Sequence, residues 1–208
     1  MKIQLVLVCC AVLSLLSCKE PKRLPFLQLE TSEKVVDGKM VTDSIFRTIP
    51  HFKLFNQDSA IVTEKDFDGV IYVADFFFTS CPTICPVMHR NLLKVYKKYK
   101  SNPMVKFASH TIDVKYDTPS RMKRYADKLG VEGTQWEYLW GTRDEIYGLA
   151  ERNYLVSAVE NKRAPGGFVH AGYLMLVDKQ KRLRGAYDGT LDTDVKKLME
   201  DMDVLLKE

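Results

Sequence analysis

Residues 70–78 are apolar at every position except Asp75, and β-branched and aromatic side chains dominate them. A strand without polar alternation is one covered on both faces. It has to run through the middle of a sheet with helices packed above and below. Directly after it comes Thr79-Ser80-Cys81-Pro82-Thr83-Ile84-Cys85-Pro86, and then, over residues 87–100, apolar or long side chains at helical spacing. Two thiols therefore stand where a buried strand turns into the N-terminus of a helix. Pro82 and Pro86 both suit a first helical position, where a missing N–H costs nothing. We read 81–85 as a tight turn and start the regular helix near Pro86, because a proline deeper in a helix removes a bond and kinks it. The unpaired N–H groups and positive end of that helix favour thiolate over thiol, and thiolate is what attacks disulfides and binds soft metals. Asp75, close before the cysteines, is expected to be hydrogen-bonded in a structural role.

The spacing Cys-x-x-x-Cys narrows the chemistry. Side chains four apart on a helix lie about 5–6 Å apart at Cβ, whereas a disulfide wants about 3.5–4.5 Å. Two metal–sulfur bonds of about 2.3 Å each span the wider gap. The spacing leans toward a metal clamp and leaves a disulfide open, since the turn can adjust. A plain stabilising disulfide is the weaker reading, because a five-residue ring closes too short a loop to stabilise much.

The N-terminus sets the compartment. Residues 1–17 read as an export signal, with Lys2 as the positive start and an apolar core over 5–16 too short for a comfortable membrane span. It ends in Leu15-Leu16-Ser17-Cys18, which resembles the bacterial lipobox; that resemblance implies cleavage before Cys18 and lipidation of its thiol. The body is then expected outside the cytoplasm, on the periplasmic side of the cell envelope, tethered to the membrane by lipid. Of the five cysteines, Cys9 and Cys10 leave with the signal and Cys18 carries lipid, so only Cys81 and Cys85 remain. An exported chain usually spends cysteines on staples; this one has none to spare, and the pair is read as functional. The formal net charge of +4 is mild and argues neither for nucleic acid nor for an acidic polymer, so no nucleic-acid partner is expected.

Along the body, residues 18–48 are polar and mixed with no sustained period, and we read them as a tether or loose arm. Residues 51–62 look like a β-hairpin turning at Asn56-Gln57-Asp58-Ser59. A second central strand is expected over 104–112. A helix should follow from Thr118-Pro119 to a stop at Gly130, then a short strand over 138–140. The capping box Thr142-Arg143-Asp144-Glu145 opens a helix to about Asn153. Strands over 171–177 and 183–187 and a helix over 192–207 complete the pattern. It predicts an α/β chain of thioredoxin-like fold: a mixed central sheet with helices on both faces and an N-terminal β-hairpin, residues 49–208 forming one domain. Such sheets bind ligands beyond the C-terminal ends of their strands, where Cys81 falls. A monomer is expected.

Over roughly residues 50–205 the chain resembles the Sco/SenC family of copper-handling, membrane-anchored thioredoxin-fold proteins. The resemblance is carried by Phe78-Thr79-Ser80-Cys81-Pro82-Thr83-Ile84-Cys85-Pro86. Thr111-Ile112-Asp113, Asp117-Thr118-Pro119, Leu139-Trp140-Gly141-Thr142 and His170 support it. Val114, where the family has proline, and the approach Gly166-Gly167-Phe168 depart from the pattern in loop shape. The resemblance implies copper as Cu(I) or Cu(II), bound by Cys81, Cys85 and His170. Two soft thiolates and an imidazole suit it, while zinc would want a fourth ligand. Three other histidines compete for the third position. His51 has no argument in its favour. His89 shares a helix face with Cys85 but lies about 12 Å along the helix from Cys81, and His110 stands near the end of the second central strand. Met88 is read as core or rim.

The function implied by the family is a copper metallochaperone that helps assemble the copper centre of cytochrome c oxidase, its partner being the copper-bearing subunit or another envelope cuproprotein. The alternative is a thiol–disulfide oxidoreductase, with Cys81 and Cys85 as a catalytic redox dithiol that reduces an envelope partner; both can coexist, because loading a dithiol site needs reduced thiols. Nothing in the sequence requires a thiol peroxidase on the same fold, and the sequence does not separate the chaperone from a redox or copper sensor that signals through a partner surface. An oxidoreductase typically carries a cis-proline where this chain has Phe168-Val169-His170, which favours the chaperone.

Overall fold

The structure, a computed structural model, describes residues 23–208; the expected signal peptide and Cys18 lie outside the described residues. The first strands are β1 (Leu29–Val36) and β2 (Lys39–Phe46), paired antiparallel across their whole length. For residues 29–46 this corrects the expectation of a tether or loose arm over 18–48, of which 18–22 lie outside the described residues. The hairpin turns at Asp37 and Gly38, both at positive φ, and Asp-Gly in that role is a strong hairpin signal. It escaped the periodicity argument because every residue of both strands is exposed, and alternation marks a strand only when one face is buried. The segment before it is no free tether either. Leu24 is buried, its carbonyl and that of Pro25 accept bonds from the buried Arg184 guanidinium, and Leu27 N–H donates to the Leu183 carbonyl.

The hairpin expected over 51–62 is present as β3 (Lys53–Phe55) and β4 (Ile61–Thr63). The apolar run becomes β5 (Ile71–Phe77), with every residue buried. Then come α1 (Ile84–Tyr99), β6 (Val105–Thr111), α2 (Pro119–Leu129), β7 (Trp136–Leu139) and α3 (Arg143–Gly148), the last prolonged by one wider turn over Leu149–Asn153. Gly130 ends α2 in the left-handed conformation, which suits a residue without Cβ. Two short strands, β8 (Ala158–Glu160) and β9 (Phe168–His170), pair with each other. The chain finishes with β10 (Tyr173–Val177), β11 (Leu183–Asp188) and α4 (Asp192–Leu205).

The central sheet has the order β11-β10-β5-β6-β7. β5, β6 and β7 run parallel, while β10 is antiparallel to both its neighbours. Alternation along β5 assigns its two faces. Asp75 and Phe77 meet His89 of α1, and Phe77 also meets Tyr125 of α2. Tyr72 and Phe76 meet Tyr154, just beyond the α3 turn. α4 lies beside α1, joined by the bonds of Tyr99 to Met199 and Asp203. Helices therefore cover both faces, as the absence of alternation in β5 requires. Among the described residues no helix is long and apolar enough to cross a membrane.

A two-stranded ribbon with both faces in solvent is marginal on its own. The Arg47 N–H to Gln28 carbonyl bond closes its base. Replacing residues 29–46 by a short glycine link is therefore expected to shift domain stability by no more than about 1 kcal/mol, read from the urea midpoint. A loss of several times that would mean the hairpin is part of the cooperative unit.

Candidate metal centre

Strand direction builds the site. β5 delivers the chain to the C-terminal end of the sheet, and Cys81 N–H donates back to the Phe78 carbonyl (3.2 Å) to form the turn before α1. β10 runs against β5, so the residues leading into β10 arrive at that same end, and His170 is among them. Cys85 Sγ and His170 Nε2 are 3.4 Å apart. The two sulfurs and a ring nitrogen of His170 all lie within 4.8 Å of one another, with the three residues buried. Both cysteines are free thiols. Among the described residues these are the only three histidines, cysteines or acids so grouped. The α-helix begins at Ile84, slightly earlier than Pro86, and Cys85 stands in its first turn.

The turn is held from both sides. Asp117, fully buried, accepts bonds from the Thr79 N–H (2.9 Å), the Thr79 hydroxyl and the Thr111 hydroxyl (2.7 Å). Arg121 donates to the Thr79 hydroxyl as well. On the other side the Phe78 ring packs against Phe168 and meets His170 edge-on. Gly166 approaches that ring so closely that a Cβ would come within 2.7 Å of it, and its φ of +76° disfavours any side chain. The glycine-rich approach to His170 thus seats the histidine loop on the cysteine turn.

The two thiols are unequal. Cys81 is held well below the ordinary thiol range, first by the Cys85 thiol beside it and, against burial, by His170 and the backbone N–H groups of Cys85 and Thr83. Cys85 is pushed up by the same contact with Cys81 and by burial. The pair therefore ionises in two widely separated steps, with the first negative charge on Cys81. The structure offers one thiolate, one thiol and an imidazole aimed at sulfur.

The other candidates are occupied elsewhere. His89 Nε2 lies 2.8 Å from an Asp75 carboxylate oxygen and its Nδ1 lies 2.8 Å from the Tyr125 hydroxyl, so both ring nitrogens are engaged away from the thiols. Asp75 also accepts from the Ser109 hydroxyl, which gives the buried acid its hydrogen-bonded structural role. His110 is buried, stacked on Phe76, with Nδ1 near the Asp75 carbonyl. His51 is exposed and pairs with Glu64. Met88 is core. Sequence reasoning missed Asp117 as the clamp on the turn; its place between Asp113 and a helix cap was visible, but its partners lie 38 and 6 residues away.

A sequence model of the SCO1/SenC family matches residues 42–207. The crystal structure of a SCO1/SenC family lipoprotein from Bacillus anthracis str. Ames is 28% identical, covers 76% of this chain and 95% of its own, and superposes with a TM-score of 0.70. BsSco, described as a member of the Sco family of cytochrome c oxidase assembly proteins with a disulfide switch, is 26% identical over 77% of this chain and 94% of its own, with a TM-score of 0.68. The structure of Arabidopsis thaliana ScoI with copper bound shares the fold at 23% identity, covering 78% of this chain and all of its own, with a TM-score of 0.65. The sheet order, the helices on both faces and these likenesses make the fold thioredoxin-like. With the match running from the second strand to the last helix, the chain belongs to the SCO1/SenC family.

Proposed function

We propose that this chain is a membrane-anchored copper metallochaperone, holding copper as cargo between Cys81, Cys85 and His170 and passing it to the copper-bearing subunit of cytochrome c oxidase or another envelope cuproprotein. The observation that carries this reading is the buried cluster of two sulfurs and an imidazole nitrogen within 4.8 Å. Two thiolates and an imidazole form a soft set suited to Cu(I), with the nitrogen also tolerating Cu(II). Zinc would lack its fourth protein ligand. Ligating sulfur must be deprotonated; Cys81 is poised for that, and loading releases the proton that Cys85 keeps. Two relatives support the reading in their own right: ScoI of Arabidopsis thaliana is a copper-bound structure, and BsSco is described with cytochrome c oxidase assembly. The anchor is Cys18, after the lipobox-like Leu15-Leu16-Ser17. The Bacillus anthracis relative is a lipoprotein, and the domain stands on the outer side of the membrane.

The protein purified without oxygen should carry one copper per chain by metal analysis, and Cys81→Ser or Cys85→Ser should lose tight binding, because a hard hydroxyl replaces a soft thiolate. His170→Ala should weaken Cu(II) binding strongly and Cu(I) binding less, while its rate of disulfide exchange stays within a small factor of the parent. Full copper content in either serine variant would overturn the ligand assignment. Normal copper binding with lost thiol exchange in His170→Ala would make the oxidoreductase reading primary.

That second reading has an observation of its own, the lowered Cys81 thiol. Because Cys81 is already thiolate at neutral pH, its alkylation in the reduced, metal-free protein should not climb as pH rises through about 8.5, the ordinary thiol value. In Cys85→Ala the neighbouring thiol, the largest cause of that lowering, is gone, and the climb should return. Equal, pH-dependent labelling of both cysteines in the parent would show that the pair does not share its proton as described.

For the anchor, Cys18→Ala should leave the chain uncleaved or without lipid. A mature-length Cys18→Ala protein that stays with membranes through a carbonate wash would overturn the lipobox reading.

A further inference from the structure

One cavity lies far from the cysteines, at the other end of the sheet. It measures about 690 Å³ and is lined by Arg23, Lys179, Arg182, Arg184 and Lys207, with Phe26 among the other lining residues. Asp178 and Glu208 also line it and are the partners of Arg182 and Arg184. Arg23, Lys179 and Lys207 form no ion pair among the described residues, and Arg23 and Lys207 are exposed. The arginine guanidinium groups lie over the Phe26 ring at 4.2 and 4.8 Å. The cavity therefore couples an excess of positive charge to an aromatic wall, which suits a phosphate with a glycerol backbone behind it.

Two further facts place this cavity. Arg23 lies five residues from Cys18, a reach of no more than about 18 Å of extended chain. The segment just after it is pinned to the domain by the Arg184 bonds to the Leu24 and Pro25 carbonyls. A chain anchored at Cys18 cannot turn this end away from the bilayer. Strand register then fixes the opposite end. Leu183, next to Arg184, is level with Val177, which is level with Tyr72 at the start of β5. The cysteine turn follows Phe77, so about 17 Å of strand separates the two ends of the sheet.

We propose that this cavity is a docking site for the headgroup of an anionic phospholipid in the anchoring membrane, so that the domain stands with its Cys–His cluster pointing away from the bilayer. The inference rests on the lipobox reading of Cys18 for its proximity. In the sequence between Cys18 and Arg23, Lys19 and Lys22 outnumber Glu20, and that excess adds to the same attraction, which anionic lipids exert on cations close to the membrane surface.

The test is hydrogen exchange on the full mature chain reconstituted in vesicles of phosphatidylcholine alone and of phosphatidylcholine with phosphatidylglycerol. Amides over 179–184 and 204–208 should exchange roughly tenfold more slowly in the anionic vesicles, equivalent to one or two cations at the surface. The double variant Lys179→Glu with Lys207→Glu should abolish the difference. Both side chains lie outside the core, and unchanged protection of β5 would report an intact fold. Equal exchange in the two vesicle types, or a difference that survives charge reversal, would overturn the proposal. So would the same protection from soluble glycerol phosphate, which would make this a small-anion site. The mass of the N-terminal peptide reads the anchor separately. Lipid on Cys18 without selective protection sinks the cavity reading alone, and selective protection of a chain lacking lipid sinks the anchor reading alone.

Discussion

The pairing of β10 against β5 is the constraint on which the rest depends. Three backbone partners, Met175 with Ala74, Leu176 with Val73 and Val177 with Tyr72, fix where the chain enters β10. His170 and Cys81 are far apart in sequence, and only an antiparallel neighbour brings a residue preceding its own strand to the place where β5 ends. Were β10 parallel, the same histidine would lie at the other end of the sheet. A one-residue slip would be resisted by the buried side chains on both faces of β5. The clustering of the two thiols with the imidazole is thus a by-product of core packing, and its geometry is as firm as the core.

What the sequence made legible follows from the same packing. Residues 70–78 could be read as a central strand because double-sided burial leaves no polar alternation. The caps at Thr118-Pro119, Gly130 and Thr142 located helix ends because their signals are local. The cysteine pair was legible from its place at a strand-to-helix turn, His170 through the resemblance alone, and the structure brings the three together. The Asp117 clamp on Thr79 and the capture of His89 between Asp75 and Tyr125 were not legible. Both depend on which side chains face each other across the sheet and helices, which one sequence does not state. The outer hairpin was missed for the opposite reason: strands that bury nothing leave no pattern beyond their Asp37-Gly38 turn.

The unequal thiols stand close to the buried acid Asp75. Asp75, behind the sheet end, adds to the upward push on Cys85, while Cys81 lies nearer the backbone N–H groups of the turn. The site therefore offers one thiol that ionises readily and one that gives up its proton only when something positive arrives. A soft cation answers both, since it pairs with the existing thiolate and displaces the remaining proton.

Gly166 gives the site a second kind of control. The loop bearing His170 rests on the Phe78 ring at a spot where even a methyl group would intrude, and Phe78 directly precedes the cysteine turn. The spacing between imidazole and thiols is thereby set by the absence of a side chain. A slightly looser seat would leave the two sulfurs untouched while lengthening the reach of the nitrogen. The reach of the imidazole could then be tuned separately from the identity of the three side chains, so that two chains with the same cluster could hold a metal for very different times.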